Sequence, residues 1–290
     1  MQITQLDPEL LKQGKFSDCK PKIKQLFAIG NLELLKTNIL GIVWPRSMSS
    51  YADQILESFF EKSKGRVFTT ISGLAKGVDQ KCHSLSLRTN LPTIAVLGGG
   101  IEYYLKTSNH NFMMEIIEKG GLILSEFDVD FKPTSRSFPL RNRIIASLSD
   151  MLFLPEAREG SGSLITVNYA LKIKRPVFIA PNPLFSLNGE GSNQLLASGK
   201  WQLLSNFSQI LDQFKNNTAN EQEDNMYKIL NSLTIEEQQI YSLVKQHSNQ
   251  ELSTRIWASE LDTWEIMTHL TLLEMKGIIR QSWPGMYITS

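Results

Sequence analysis

Residues 138–146 read Phe-Pro-Leu-Arg-Asn-Arg-Ile-Ile-Ala. Arginine grips phosphate through paired N–H groups, and an aromatic face stacks on an unpaired base. Phe138, Arg141, Asn142 and Arg143 together suit an anionic polymer carrying both phosphates and rings, which is single-stranded nucleic acid. The plainer account, surface arginines beside a partly buried phenylalanine, leaves Asn142 and the nearby strand end unexplained.

Other chemistry-bearing residues stand where apolar runs give way to glycine-rich turns. These are Trp44-Pro-Arg-Ser-Met-Ser-Ser50, Ser72-Gly-Leu-Ala-Lys-Gly-Val-Asp79, Gly98-Gly-Gly100 and Pro155-Glu-Ala-Arg-Glu-Gly-Ser-Gly-Ser163. Glycine lets the backbone approach an anion closely, and the free amides of a helix N-terminus point at it. Arg46, Ser72, Gly73 and Lys76 join the first cluster as candidate contacts. Gly98, Gly99, Ser161, Gly162 and Ser163 are candidate phosphate-contacting loops. Each has a structural alternative: Gly98–Gly100 lacks the GxGxxG spacing and could be only a turn, and Ser161 could be only a helix cap. His83 falls in a helix with no metal-ligand partner nearby. No paired acids, no Ser/His/Asp ordering and no HExxH occur, so the expectation is a binding protein, not an enzyme, with no metal and no cofactor.

The elements that must carry these loops follow from periodicity. Strand-length apolar runs at 39–43, 67–71, 93–97, 122–124, 151–154 and 177–180 alternate with amphipathic segments at 51–61, 75–87, 111–119 and 164–172. That alternation predicts an α/β fold, a Rossmann-like doubly wound, mostly parallel sheet over 38–213. In such sheets ligands bind at the C-terminal strand ends, where the glycine turns fall. Residues 1–37 read as a lead-in segment and 214–226, polar throughout most of their length, as a linker. Residues 227–290 then read as a small C-terminal winged helix: helices at 235–245, 254–260 and 263–276, a stop at Gly277, and a hairpin from 278–281 and 286–289.

Charge divides the same way. The 290 residues carry 30 Lys/Arg and 29 Asp/Glu. Residues 221–290 hold 5 basic against 10 acidic, net −5, which leaves 1–220 with 25 against 19, net +6. Anion binding is therefore expected of the first part. The two cysteines, Cys19 and Cys82, have neither metal-like spacing nor a disulfide framework, which suits a reducing compartment. The first residues show no basic-then-apolar leader, and no apolar run is long enough to cross a bilayer. A cytoplasmic, membrane-free location is expected.

Taken together, the segments resemble the DprA/Smf family of bacterial DNA-processing proteins. The resemblance runs from about residue 27 to the end. It rests on Ser72-Gly-Leu-Ala-Lys-Gly-Val-Asp79 with His83, Thr93-Ile-Ala-Val-Leu-Gly98, Leu124-Ser-Glu126, Phe138 through Ser149, Ser161-Gly-Ser-Leu-Ile-Thr166 and Gly191-Ser-Asn193. Leu272-Leu-Glu-Met-Lys-Gly-Ile-Ile-Arg280 is similar to the family's small winged-helix domain. The resemblance implies a homodimer that binds single-stranded DNA without strong sequence preference, protects incoming strands and helps load RecA recombinase during natural transformation. It also implies a DNA-binding rim of Arg46, Ser72, Gly73, Lys76, Phe138, Arg141, Asn142 and Arg143. Two segments depart from the pattern: Val43-Trp-Pro-Arg46 replaces a Gly-Ser/Thr-Arg turn, and Tyr103-Tyr-Leu-Lys-Thr-Ser-Asn-His110 replaces a proline-rich one. The sequence before Phe27 is short for the helical N-terminal domain of some members.

Two further readings compete. A nucleotide-binding or nucleotide-hydrolysing enzyme of the phosphoribohydrolase type would carry Pro-Gly-Gly-x-Gly-Thr-x-x-Glu, but after Thr166 this chain has Val167-Asn168-Tyr169 and no glutamate. A duplex-reading winged helix would carry a basic recognition helix, but 263–273 holds Glu265 and no Lys or Arg.

Overall fold

The computed structural model describes residues 2–214 apart from 44, 46, 47, 76 and 77, and then 233–246, 262–276, 278–283 and 286–289. Two compact units divide the chain, Met1–Lys215 and Asn216–Ser290. The strands of the first are β1 (Thr4–Gln5), β2 (Phe27–Gly30), β3 (Ile39–Ile42), β4 (Thr69–Ser72), β5 (Thr93–Leu97), β6 (Leu122–Ser125), β7 (Met151–Leu154), β8 (Val177–Ile179) and β9 (Gln202–Leu203). Its helices are α1 (Gly14–Ser17), α2 (Ser50–Lys62), α3 (Val78–Arg88), α4 (Ile101–Leu105), α5 (His110–Glu118), α6 (Ser137–Leu148), α7 (Gly162–Lys172), α8 (Glu190–Ala197) and α9 (Ser208–Leu211).

One nine-stranded sheet, ordered β1-β2-β6-β5-β4-β3-β7-β8-β9, holds this unit together. Strands β6 through β9 run parallel, whereas β1 and β2 pair antiparallel at one edge. The expected mostly parallel α/β sheet is present. The lead-in differs from expectation, because 1–37 supplies β1 and β2 to the sheet. Phe27-Ala-Ile-Gly is too short to signal a strand, and no helix-length segment follows it to mark a βαβ unit.

Strand pleating explains why helices cover both faces. Alternate residues of a strand point to opposite sides, and here both sets are apolar. Ile39, Ile94, Val96, Leu152 and Ile179 pack with α6 and α7, while Leu40, Ile42, Phe153 and Phe178 pack with α2 and α3. From β3 the order runs outward through β4 on one side and β7 on the other. Connections diverge at that switch point and open a crevice at the strand ends.

The boundary of the unit also differs from the sequence reading. Phe214, expected to open the linker, is fully buried and stacks on Phe68 at 4.7 Å between ring centroids. Residues 215–226 of the expected linker lie outside the described residues.

In the second unit, α10 (Ile235–Gln246) and α11 (Thr263–Met275) accompany the antiparallel strands β10 (Ile279–Trp283) and β11 (Met286–Thr289). A reciprocal cap starts α10: Glu237 donates its N–H to Thr234 Oγ1 at 3.2 Å, and Thr234 donates its N–H to Glu237 Oε2 at 3.0 Å. Ile240, Val244, Ile266, Leu270, Leu273 and Ile279 form a separate core. The expected helix at 254–260 and the stop at Gly277 lie outside the described residues. Among the described residues no helix is long and apolar enough to cross a membrane.

Because Phe214 belongs to the core, Phe214→Ala should destabilise the first unit by about 3–5 kcal/mol. Chemical denaturation of the full chain checks this; a loss within error of zero would return residue 214 to the linker.

Candidate nucleic-acid interface

Helix α6 is the element on which the site turns. Ser137 and Thr134 fix its start, with Thr134 N–H donating to Ser137 Oγ and that hydroxyl donating to the Thr134 carbonyl, both at 2.9 Å. Pro139 falls in the first turn, where its missing N–H leaves no helical bond unmade. Arg141 and Arg143, expected together on one rim, are therefore carried by a helix. Residues 138, 141, 142 and 145 recur at the spacing of one helical face, and all four line a cleft of about 710 Å³. The opposing walls are Ser72, Gly73, Leu74 and Ala75 after β4, Pro45 after β3, and the first turns of α7.

Within the cleft, most polar groups are pinned to backbone. Arg141 is 5% exposed and donates to the carbonyl of Val96, one residue beyond the last β4–β5 pair, and through Nε to Asn142 Oδ1 at 3.1 Å. Asn142 donates its amide to the Gly162 carbonyl at 3.3 Å, tying α6 to the start of α7. At that start Ser161 has no side-chain capping bond, and its hydroxyl instead pairs with Ser163 Oγ at 2.5 Å. A Cβ added to Gly162 would meet nothing within 4 Å. This end of α7 thus combines an open approach with the positive end of a helix dipole.

The loop after β4 is held from below. Ser72 donates its hydroxyl to the Ile42 carbonyl at 2.7 Å, which joins the β3 and β4 ends. His83 is buried, with Nε2 2.6 Å from the Gly73 carbonyl and Nδ1 2.7 Å from Thr93 Oγ1. The carbonyl can only accept, so Nε2 carries the proton and Nδ1 accepts from Thr93. Thr70 donates in turn to Thr93, and its hydroxyl meets Ser86. His83 therefore positions Gly73, in keeping with the sequence reading of a satisfied helix histidine. Glu156, wholly buried, accepts from the N–H and hydroxyl of Ser49 and so fixes the start of α2.

The structure gathers Ser72, Gly73, Phe138, Arg141, Asn142, Ser161, Gly162 and Ser163 around one cleft, and separates three other candidates from it. Arg143 faces the opposite side of α6. Its side chain is 2% exposed, with Nη2 2.5 and 2.6 Å from the two Glu126 carboxylate oxygens and Nη1 3.2 Å from Cys19 Sγ. Two residues along a helix do not share a face, which corrects its placement on the rim. Gly98 and Gly99 are buried packing positions rather than open amides. A Cβ on Gly98 would lie 2.7 Å from Phe138 Cδ1, and one on Gly99 2.6 Å from Pro133 Cγ. Arg46 and Lys76 lie outside the described residues, as does Trp44.

Sequence reasoning missed Tyr104, Asn109, Ser135 and Thr166, which also line the cleft. Tyr104 and Asn109 fall in the 103–110 stretch noted for its departure from the family pattern. Thr166 sits one turn beyond Gly162 on α7.

Comparison with known proteins follows this geometry. A family model for DNA recombination-mediator protein A matches residues 4–215. Protein Smf of Escherichia coli strain K12 is 37% identical over 174 residues, 60% of this chain and 46% of that protein. The DNA processing protein DprA of Bacillus subtilis is 34% identical over 175 residues, 60% of this chain and 59% of its own length. The chain thus aligns to about half the length of these relatives. Among solved structures, DNA processing protein A of Streptococcus pneumoniae superposes with a TM-score of 0.66 at 29% identity, covering 73% of this chain and 75% of that one. The Helicobacter pylori protein, described for its single-stranded DNA binding mode, gives a TM-score of 0.65 at 29% identity, covering 74% and 97%.

The buried pair makes a stability prediction. Arg143→Ala leaves the Glu126 carboxylate without its partner and should cost about 3–5 kcal/mol. Urea denaturation measures it, and Arg143→Met with Glu126→Gln should recover part of the loss.

Proposed function

The chain belongs to the DNA recombination-mediator protein A family, the DprA/Smf family of DNA-processing proteins, and we propose that its cleft holds single-stranded DNA. The observation that carries this reading is the alignment of Phe138, Arg141 and Asn142 on one face of α6, opposite the uncovered start of α7. Phosphates meet the α7 amides and the Arg141 guanidinium, while a base stacks on the Phe138 ring. The described lining supplies guanidinium, amide, hydroxyl and aromatic groups, which grip a strand, and on this reading the protein does no bond-making chemistry. It shelters incoming strands and helps load RecA recombinase during natural transformation, acting as a homodimer in the cytoplasm. The family, and the DNA-binding relative from Helicobacter pylori, support the DNA-processing part of this proposal.

For the second unit, the two described helices and the hairpin fit a winged helix. The acidic balance of 221–290 opposes phosphate contacts, since these supply most non-specific affinity. We assign that unit to protein contact or to regulation of the first.

Two measurements test the proposal. Phe138→Leu keeps an apolar cover over Gly98 but removes the stacking face, so single-strand affinity in mobility-shift or anisotropy titrations should fall by about 1–3 kcal/mol. Asn142→Ala should weaken binding as well, and log affinity should fall linearly with log salt. Folded variants that bind like the parent would move the site elsewhere. Deleting 222–290 should leave most single-strand binding intact, and loss of nearly all of it would give the second unit a direct role.

A further inference from the structure

Helix α11 of the second unit buries one face and displays the other. Ile266, Leu270 and Leu273 enter the core. On the opposite side Trp264, Met267, Thr268, Thr271, Leu272 and Met275 recur at the spacing of a single helical face. Trp264 is 78% exposed and Met275 81%, with Met267 at 50% and Leu272 at 39%. Thr268 donates its hydroxyl to the Trp264 carbonyl and Thr271 to the Met267 carbonyl, both at 2.9 Å. Their hydroxyl protons are thus spent within the helix and ask nothing of a partner. The stripe runs about 16 Å along the axis.

We propose that this stripe is a docking surface for a basic amphipathic helix of a partner protein. The proposal rests on reading the second unit as a protein-contact module and names what that module takes.

Residue type supports contact with protein. A contiguous apolar face left in water marks an interaction site. Tryptophan and methionine are enriched where proteins meet, and tryptophan is a frequent energetic anchor. Methionine side chains also repack around differently shaped helical ligands. A partner helix with apolar residues at i, i+3, i+4 and i+7 presents the matching ridge.

Charge selects the occupant. Residues 262–276 hold Asp262, Glu265 and Glu274 against a single Lys or Arg, Lys276. The Lys276 ammonium is already paired with Glu237 at 2.6 Å. Glu274 is exposed and stands three residues on from Thr271 and seven from Met267, which puts it at the border of the stripe. Its Oε1 accepts from the Gln281 N–H at 3.2 Å, which fixes the carboxylate there. The wider segment 221–290 has a net charge of −5, from 5 basic and 10 acidic residues. Lysine or arginine flanking the apolar ridge of a partner complements that border. A second copy brings the same carboxylates, and nucleic acid or an anionic lipid surface brings phosphates, so each is opposed by like charge.

Anisotropy titration of the full-length protein with a fluorescein-labelled Leu/Lys peptide, patterned as an amphipathic helix, tests the proposal. The parent should bind it saturably, and a Leu/Glu peptide of the same pattern about tenfold more weakly or worse. Trp264→Ser with Met275→Ser keeps the net charge and changes only exposed positions. It should lower Leu/Lys affinity about tenfold or more, with circular dichroism and single-strand affinity unchanged. Met267→Lys, at the middle of the stripe, should weaken the same peptide. No saturable binding, equal binding of the two peptides, or full affinity in the double serine variant would overturn the proposal. Self-association of the parent in sedimentation, relieved by the double variant, would give the stripe to a second copy instead. A fall in single-strand affinity in that variant would give it to the strand. Loss of single-strand binding on deleting 222–290 undoes the protein-contact reading itself, whereas peptide failure with that binding retained undoes only the occupant named here.

Discussion

Residues two positions apart on an α-helix point about 200° apart, and that rotation organises the first unit. It sends Arg141 into the cleft and Arg143 behind α6, where Glu126 and Cys19 receive it. One helix can then face solvent chemistry on one side and serve as a core layer on the other. The arrangement needs a carboxylate on the hidden side, because a lone guanidinium buried there would be costly. Glu126, at the end of β6, supplies it. Once α6 is clamped in this way, its cleft face has little freedom to rotate.

The walls opposite α6 are tied down by a different device. Side chains of Ser72, His83 and Asn142 donate to backbone carbonyls of Ile42, Gly73 and Gly162. Loops at strand ends ordinarily carry more motion than the sheet they leave. Here each described loop is anchored to the element beside it, so the cleft inherits the rigidity of the sheet. The chain Thr70, Thr93, His83 and Gly73 runs from the interior to the rim. Substitutions of apparently structural threonines would therefore act at a distance on the loop they support.

Much of this could be read from residues before any coordinates. The continuous apolar runs identified the parallel strands, and glycine turns marked the edge where the cleft opens. The Phe138–Asn142 motif named three residues, Phe138, Arg141 and Asn142, that line one wall of that cleft. What could not be read had local causes. Helical phase separates Arg141 from Arg143, and placing both on one rim took no account of it. Gly98 and Gly99 look like anion turns because close packing and close ligand approach make the same demand for a missing Cβ. Phe214 follows a helical turn and precedes a polar run, so composition alone assigned it to the wrong side of a boundary. The edge strands β1 and β2 depend on long-range pairing, Phe27 with Ser125 for example, and short segments of that kind carry little local signal.

The seat beneath Phe138 has a thermodynamic corollary. Gly98 offers no side chain there, and the ring settles into the space a Cβ would take. Binding a strand ordinarily requires freezing each contacting side chain, at about 0.5–1.5 kcal/mol apiece. An aromatic already wedged against the sheet has surrendered that freedom during folding. On the proposed single-strand reading, a base arriving at the cleft would therefore meet a surface whose ordering cost lies upstream, in protein stability rather than in affinity. Enlarging residue 98 would raise that ring and restore its mobility, so on the same reading it would weaken capture through entropy with every polar contact left in place.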